Sequence, residues 1–216
     1  MEEFNKEELD YFEEQDRKKG PIKLIIGLFV LLILVFSFIP FYVLKLDPNP
    51  NYNTIDLLEV DELIPNKRGH AANVESATEL IEVGDYRLLA VNIATESCTF
   101  ESEVCYAKAL YYFVQNKIKY VPDPDRQYVQ IPSETLISGG GDCEDSALLL
   151  ATLLEAIGND ADIGLTHDHA FVRVQLPEAL WRYKADEDYV YLDPVGENKF
   201  GEVKFTTKEI KSFVEL

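Results

Sequence analysis

Basic residues are scarce in this chain: 20 Lys and Arg stand against 39 Asp and Glu, a formal net charge of -19 over 216 residues. An acidic surface repels phosphate backbones, which argues against nucleic acid as a partner. Cysteine is scarce too, with only Cys98, Cys105 and Cys143. None of them forms a short ligand pair of zinc-site spacing, so neither a metal site nor a cofactor is expected. There is no internal repeat. What remains is ordinary globular material: 47% apolar and 12% aromatic residues can build a core, and the chain as a whole does not read as disordered.

Charge is absent altogether from Leu24 to Leu44. A run of that length reaches across a bilayer as a helix, which needs roughly 20 residues, and Pro40 near its far end is tolerable there. A cleaved signal peptide fits poorly. About 23 residues precede the apolar run, and no small-x-small cleavage site follows it. Arg17, Lys18, Lys19 and Lys23 lie before the run and only Lys45 just after it, so the positive-inside rule puts the N-terminus in the cytoplasm and the large C-terminal part outside. The expected organisation is a cytoplasmic tail over 1–21, a transmembrane helix over 22–44, a linker over 45–75 and a globular domain over 76–216. The location expected is the cell membrane, crossed once, with an extracytoplasmic domain. Outside the cytoplasm two cysteines pair, and the nearby Cys98 and Cys105 are the economical pair, leaving Cys143 free. The alternative is three reduced, buried thiols.

Within the domain the pattern predicts helices over Asp85–Thr95 and Ser102–Ile118. In the second, Val104, Ala107, Tyr111, Val114 and Ile118 recur at steps of three and four. Tyr120 to Ser138 reads as a long, proline-punctuated loop. The stretch from Cys143 to Ile157 reads as a helix apolar on nearly every side, hence central to the core, and Gly158 ends it. Strands are expected over Asp160–Thr166, His169–Gln175 and Asp188–Asp193, with a fourth over Phe200–Phe205 and a short terminal helix over Lys208–Val214. Trp181 lies in the connection before the third strand.

Three residues at element ends suggest chemistry. Cys143 follows Gly139-Gly140-Gly141-Asp142 and opens the apolar helix. A helix N-terminus favours thiolate over thiol, and its unpaired N–H groups can hold an oxyanion. A lone cysteine can equally be an inert packing residue. His169 begins a strand on the face opposite Ala170, Val172 and Val174, with His167 as a competitor two residues earlier. Asp193 closes the next strand. If those strands pair antiparallel, Asp193 lies beside His169 and can fix its tautomer and stabilise its cation, although Asp193-Pro194 is also ordinary turn chemistry. Glu144 and Asp145 are read chiefly as first-turn acids that stabilise the helix dipole. A metal-binding sensor built from Cys143, His167, Asp168, His169 and Asp193 is a minor rival.

Gly-Gly-Gly-Asp-Cys-Glu-Asp at 139–145 with its leucine-rich helix resembles the transglutaminase-like superfamily. His169-Ala170-Phe171-Val172 is similar to its histidine strand and Tyr191-Leu192-Asp193-Pro194 to its aspartate strand. Cys105 to Tyr120 resembles the helix before the active site in archaeal members. The resemblance spans roughly 85–200. It implies an α+β, papain-like core: a buried Cys-bearing helix packed on an antiparallel sheet. It further implies Cys143 as nucleophile, His169 as base and Asp193 as orienting acid. The family's second oxyanion donor does not map cleanly; Tyr120, Gln127 and Gln130 are the candidates. The expected activity is that of a thiol peptidase, amidase or acyltransferase acting on amide bonds through a thioester. Its expected partner is a protein or a peptide-containing envelope substrate. The alternative is a catalytically inactive binding domain at the cell surface.

Overall fold

The computed structural model describes residues 22–38, 47–51, 61–123 and 128–216. The chain divides into two compact units, Met1–Leu46 and Asp47–Leu216. In the first, residues 22–38 form helix α1. Among the described residues no helix is long and apolar enough to cross a membrane. The expected tail over 1–21 and the last part of the expected span, 39–44, lie outside the described residues.

The second unit starts at Asp47, inside the segment expected to be a linker. Pro48 and Pro50 are buried, and the Asn51 N–H donates to the Ser97 carbonyl at 2.8 Å. Strand β1 (His70–Ala71) and helix α2 (Val74–Thr78) follow, the helix capped by the Asn73 side chain. Helices α3 (Arg87–Ser97) and α4 (Glu103–Lys117) then form a packed pair. The Ser102 hydroxyl caps α4 by accepting from the Cys105 N–H.

After α4 comes strand β2 (Lys119–Tyr120). The expected loop from Tyr120 to Ser138 has more structure than its prolines suggested. It holds β3 (Val129–Gln130), paired with β1, and helix α5 (Pro132–Ser138). Pro132 sits in the first turn, where its missing N–H costs nothing, and Gly139 ends the helix at φ 66°, a left-handed position that suits glycine. β2 runs parallel to β4 (Gly140–Gly141), which leads into helix α6 (Cys143–Ala156).

Helix α6 is the centre of the core. Ala147, Leu148, Leu149, Leu150, Ala151, Thr152, Leu153 and Leu154 are all buried. Helices α3, α4 and α5 pack on it, and strands β5 (Ala161–Leu165) and β6 (Ala170–Gln175) lie against it as well. The leucines of that run each contribute about 1.5–3 kcal/mol by leaving water, enough to hold the first turn of α6 in one place.

The sheet has five antiparallel strands in the order β7-β8-β6-β5-β9, where β7 is Lys184–Asp186, β8 is Tyr189–Leu192 and β9 is Ser212–Val214. β5, β6 and β8 are the strands the alternating pattern predicts. Ala170, Val172 and Val174 join the core around α6, while Phe171 packs on the other face with Tyr191 and Phe205. Two expectations are corrected. The stretch expected as a fourth strand over Phe200–Phe205 is irregular: Phe200 is buried against Tyr111 and Tyr183 instead of pairing with a strand. The expected terminal helix is a single 3-10 turn (Thr207–Glu209) followed by edge strand β9, which pairs with β5. β7 completes the opposite edge. The result is a mixed α and β fold with helices packed on an antiparallel sheet.

Candidate active site

Cys143 is the first residue of α6 and is partly exposed. Two carboxylates hold its backbone in place. The Asp142 side chain caps the helix by accepting from the N–H groups of Glu144 (2.9 Å) and Asp145 (3.2 Å). Asp145 reaches back to accept from the Asp142 N–H at 3.1 Å, closing a capping box. Asp145 also accepts from the Gln130 N–H at 2.7 Å and its side-chain Nε2 at 3.0 Å, tying β3 to the start of α6. A Cβ on Gly141 would come within 2.6 Å of the Asp145 carboxylate, so this position must be glycine. The first turn therefore differs from the sequence expectation in one respect. The amides of Glu144 and Asp145 are taken up by Asp142, and the Cys143 N–H is the one in that turn left outside the cap.

Burial pushes the Glu144 carboxyl up to about 7, with the Asp142 charge adding to it. Burial likewise pushes Asp145 up to about 6, against the pull of the Gln130 N–H. Asp142 is raised as well, chiefly by burial.

His169 precedes β6 and Asp193 follows β8. Val172 pairs with Leu192, and that register continued by one residue sets Asp193 opposite Phe171, a diagonal step from His169. The His169 Nε2 lies 3.0 Å from the Asp193 Oδ2, a close approach at an angle off the line of an N–H···O bond. The Cys143 thiol is near enough to the same imidazole to act on its titration. With Nε2 turned to the carboxylate, Nδ1 is the ring nitrogen left for the sulfur. Asp193 first, then Cys143, raise the His169 pKa to about 10, overcoming burial, which lowers it.

Asp193 is buried and held at both oxygens. Oδ1 accepts from the Val195 N–H at 3.1 Å, and Oδ2 accepts from the Asn198 Nδ2 at 3.0 Å. The Tyr111 hydroxyl, 3.0 Å from the Asp193 carbonyl and 2.8 Å from the Asn198 carbonyl, ties this loop to α4, assisted by Gln115. Burial drives the Tyr111 hydroxyl pKa far upward, so it stays a neutral donor. Sequence reasoning missed Asn198, Gln115 and this use of Tyr111. Tyr111 was legible only as a buried-face residue, and nothing near Asn198 marks it.

Of the oxyanion candidates, Tyr120 pairs with Gly141 across β2 and β4, close enough to feel the Cys143 charge. Gln130 is buried, and its Nε2 donates to Asp145 and, at 3.4 Å, to the Gly140 carbonyl. Gln127 lies outside the described residues. His167 lines a cleft of about 500 Å³ together with His169, Asp193, Asn198 and Lys204. Among the described residues no group of three or more His, Cys, Asp or Glu is placed to hold a metal ion. Cys98 and Cys105 form a disulfide, and Cys143 is a free thiol.

One protein-family model matches this chain. The profile of the transglutaminase-like superfamily matches residues 91–184, a stretch that includes Cys143 and His169 and stops short of Asp193. No curated protein matches the chain. Among solved structures, LapG of Legionella pneumophila, EGTA-treated, is 16% identical, with a TM-score of 0.41, 68% of this chain covered and 88% of that one. A presumed protease of Parabacteroides distasonis is 14% identical, with a TM-score of 0.40 and 55% of this chain covered; the match spans 25% of that protein's length. A presumed cysteine protease of Cytophaga hutchinsonii is 13% identical, with a TM-score of 0.37, 68% of this chain covered and 45% of that one. Over residues 91–184, somewhat under half of its length, this chain is thus similar to the transglutaminase-like superfamily.

Proposed function

We propose that this chain is a membrane-anchored thiol enzyme that cleaves amide bonds, with Cys143 as nucleophile, His169 as acid and base, and Asp193 as the group that orients and charges the imidazole. The observation that carries this reading is the His169 pairing: a carboxylate 3.0 Å from one ring nitrogen, beside a thiol close enough to raise the imidazole's pKa. An imidazole favouring its cation stabilises a neighbouring thiolate. The Cys143 Sγ attacks the amide carbonyl carbon, and the oxygen takes the negative charge. The Cys143 N–H and the Tyr120 hydroxyl are the donors proposed to receive it. His169 passes its proton to the departing amine, leaving a thioester. Water then attacks the thioester, His169 removes its proton, and the acid and free thiolate are released. An amine in place of water would make the same thioester an acyl-transfer intermediate.

The anchor is the apolar run over 22–44. Its described part, α1, carries Leu, Ile, Val and Phe on every side, and these side chains are exposed. The charge asymmetry around the run supports a cytoplasmic N-terminus and an extracytoplasmic enzyme, and the Cys98–Cys105 disulfide suits that compartment. The substrate class proposed is a surface protein or a peptide-containing envelope polymer.

Thiol reactivity tests the proposal. Iodoacetamide should label Cys143 quickly near neutral pH, and His169→Ala should slow labelling by about tenfold or more, since about 1.4 kcal/mol of lost thiolate stabilisation is tenfold. Equal, slow labelling of both would identify a catalytically silent binding domain instead.

A further inference from the structure

The second unit begins at Asp47, which is fastened to the turn that holds the chain's single tryptophan, Trp181. Asp47 is pinned there from two sides. It pairs with the buried ammonium of Lys108 on α4, and with the Arg182 guanidinium and Tyr183 hydroxyl on the turn before β7. The interactions with Lys108, Tyr183 and Arg182 outweigh burial, which alone would raise the Asp47 carboxyl, and hold it below its ordinary value. From this point residues 47–51 run as a strap to the Ser97 carbonyl at the end of α3. Next to Arg182, Trp181 is 86% exposed, and Phe100, three residues beyond Ser97, is 49% exposed. Both ends of the strap are thus flanked by large apolar side chains left uncovered among the described residues.

An exposed indole beside an arginine is costly in water and well placed at a membrane interface. Trp and Tyr concentrate where the headgroups meet the acyl chains, because the ring is apolar and its N–H still needs a partner. The reach of the chain sets the distance. The expected span ends at Leu44, and consecutive Cα atoms are about 3.80 Å apart, so Asp47 lies at most about 11 Å beyond it. Arg182, the neighbour of Trp181, is fastened to Asp47 itself. We infer that the face formed by Trp181, Phe100 and the 47–51 strap rests on the lipid bilayer, with the Trp181 indole in the headgroup region. This rests on the reading of residues 22–44 as a membrane span. The enzyme then works at the membrane, and its substrate is one presented near the bilayer surface.

Fluorescence of the lone indole reads this directly. The full chain is reconstituted into phosphatidylcholine vesicles, a zwitterionic lipid that the acidic surface does not repel. Emission is followed with a headgroup-level spin-labelled lipid in the bilayer and, separately, with iodide in the water. A double variant, Trp181→Phe with Leu88→Trp, moves the indole to another exposed apolar site at the far end of α3; Leu88 is 73% exposed, about 14 Å along the helix from Ser97. Flotation of the vesicles reports on the span independently. The expected result is blue-shifted Trp181 emission, lost with spin-labelled lipid and little changed by iodide, with the reverse for the double variant. Flotation with water-like Trp181 emission, quenched by iodide and unaffected by the lipid label, overturns the docking and leaves the span standing. Protection from iodide without lipid quenching points to a protein partner and also overturns it. Equal lipid quenching at both positions shows unoriented adsorption and overturns it. Failure to float overturns the span and the docking together.

Discussion

Replacing Asp47 with alanine strands a buried ammonium. The Lys108 side chain is 1% exposed, and Asp47 is its one carboxylate among the described residues. What remains after the substitution is weak: the Pro48 carbonyl at 3.2 Å, the Asn49 Oδ1 at 3.4 Å and the ring faces of Tyr183 at 4.9 Å and Phe200 at 5.7 Å. Two unit charges about 4 Å apart attract by about 4 kcal/mol at an effective dielectric of about 20, and breaking one side of a buried pair costs about 3–5 kcal/mol. Asp47→Ala should therefore destabilise the unit by about 3–4 kcal/mol, within that range. Lys108→Met should cost less, about 1–2 kcal/mol, because Asp47 keeps Arg182 and Tyr183. The double variant should recover most of the loss, since removing both members of a buried pair and filling the space is often close to neutral. Urea unfolding of the full chain in detergent, followed by near-ultraviolet circular dichroism, gives all three values and their coupling. An Asp47→Ala effect below about 1 kcal/mol, the size of an exposed pair, would refute the reasoning, as would a double variant no more stable than the single one.

Other consequences concern the site and its supports. Asp145→Ala leaves the Gln130 and Asp142 N–H groups without their buried acceptor; it should lower stability by about 2–4 kcal/mol and slow Cys143 labelling, both read on the same preparation. Replacing Cys98 and Cys105 together by serine opens a short loop, its ends 7 residues apart in sequence, and should cost about 2.5 kcal/mol in thermal or urea unfolding. In Asp193→Ala the His169 titration, followed by NMR, should fall from about 10 toward the ordinary value of 6.5; an unchanged value would remove Asp193 from its orienting role. The pH dependence of stability follows the same groups. Glu144, Asp145 and His169 all have folded-state values above their unfolded ones, so the stability each contributes is full below the unfolded value and lost as pH rises through the folded one. For the two carboxyls that window runs from about 4 to about 7, and for His169 from 6.5 to about 10. The unfolding midpoint should decline across both windows, and a midpoint that climbs from about pH 7 to about pH 10 would contradict the His169 pairing.

Local pattern was enough for much of this molecule. A helix that is leucine and alanine on nearly every side has nowhere to go but the middle of a core, so the place of α6, and with it the position of Cys143 at its mouth, could be read directly. Alternating strands around Ala170, Val172 and Val174 likewise announced which face meets that helix. The prolines and polar residues of 120–138 misled because a helix of a few residues such as α5 starts on proline and carries little periodic signal. The C-terminal stretch misled for another reason: Ser212–Val214 is a strand only because β5 offers it an open edge, and edge pairing is decided by what lies beside a segment.

What the sequence by itself determined was the identity of the central helices and strands and the ends at which Cys143, His169 and Asp193 stand, because helical and strand periodicities are local properties of the chain. Only the tertiary structure decided what surrounds those residues: that Gln130 is committed to Asp145, that Asn198 and Tyr111 brace Asp193, and that Asp47 is locked to Lys108. It also decided that the Asp142 carboxylate occupies the amides of the first turn. Most of these join residues that meet only through strand register and helix packing, and no local periodicity records a hydrogen bond between groups 61 or 82 positions apart.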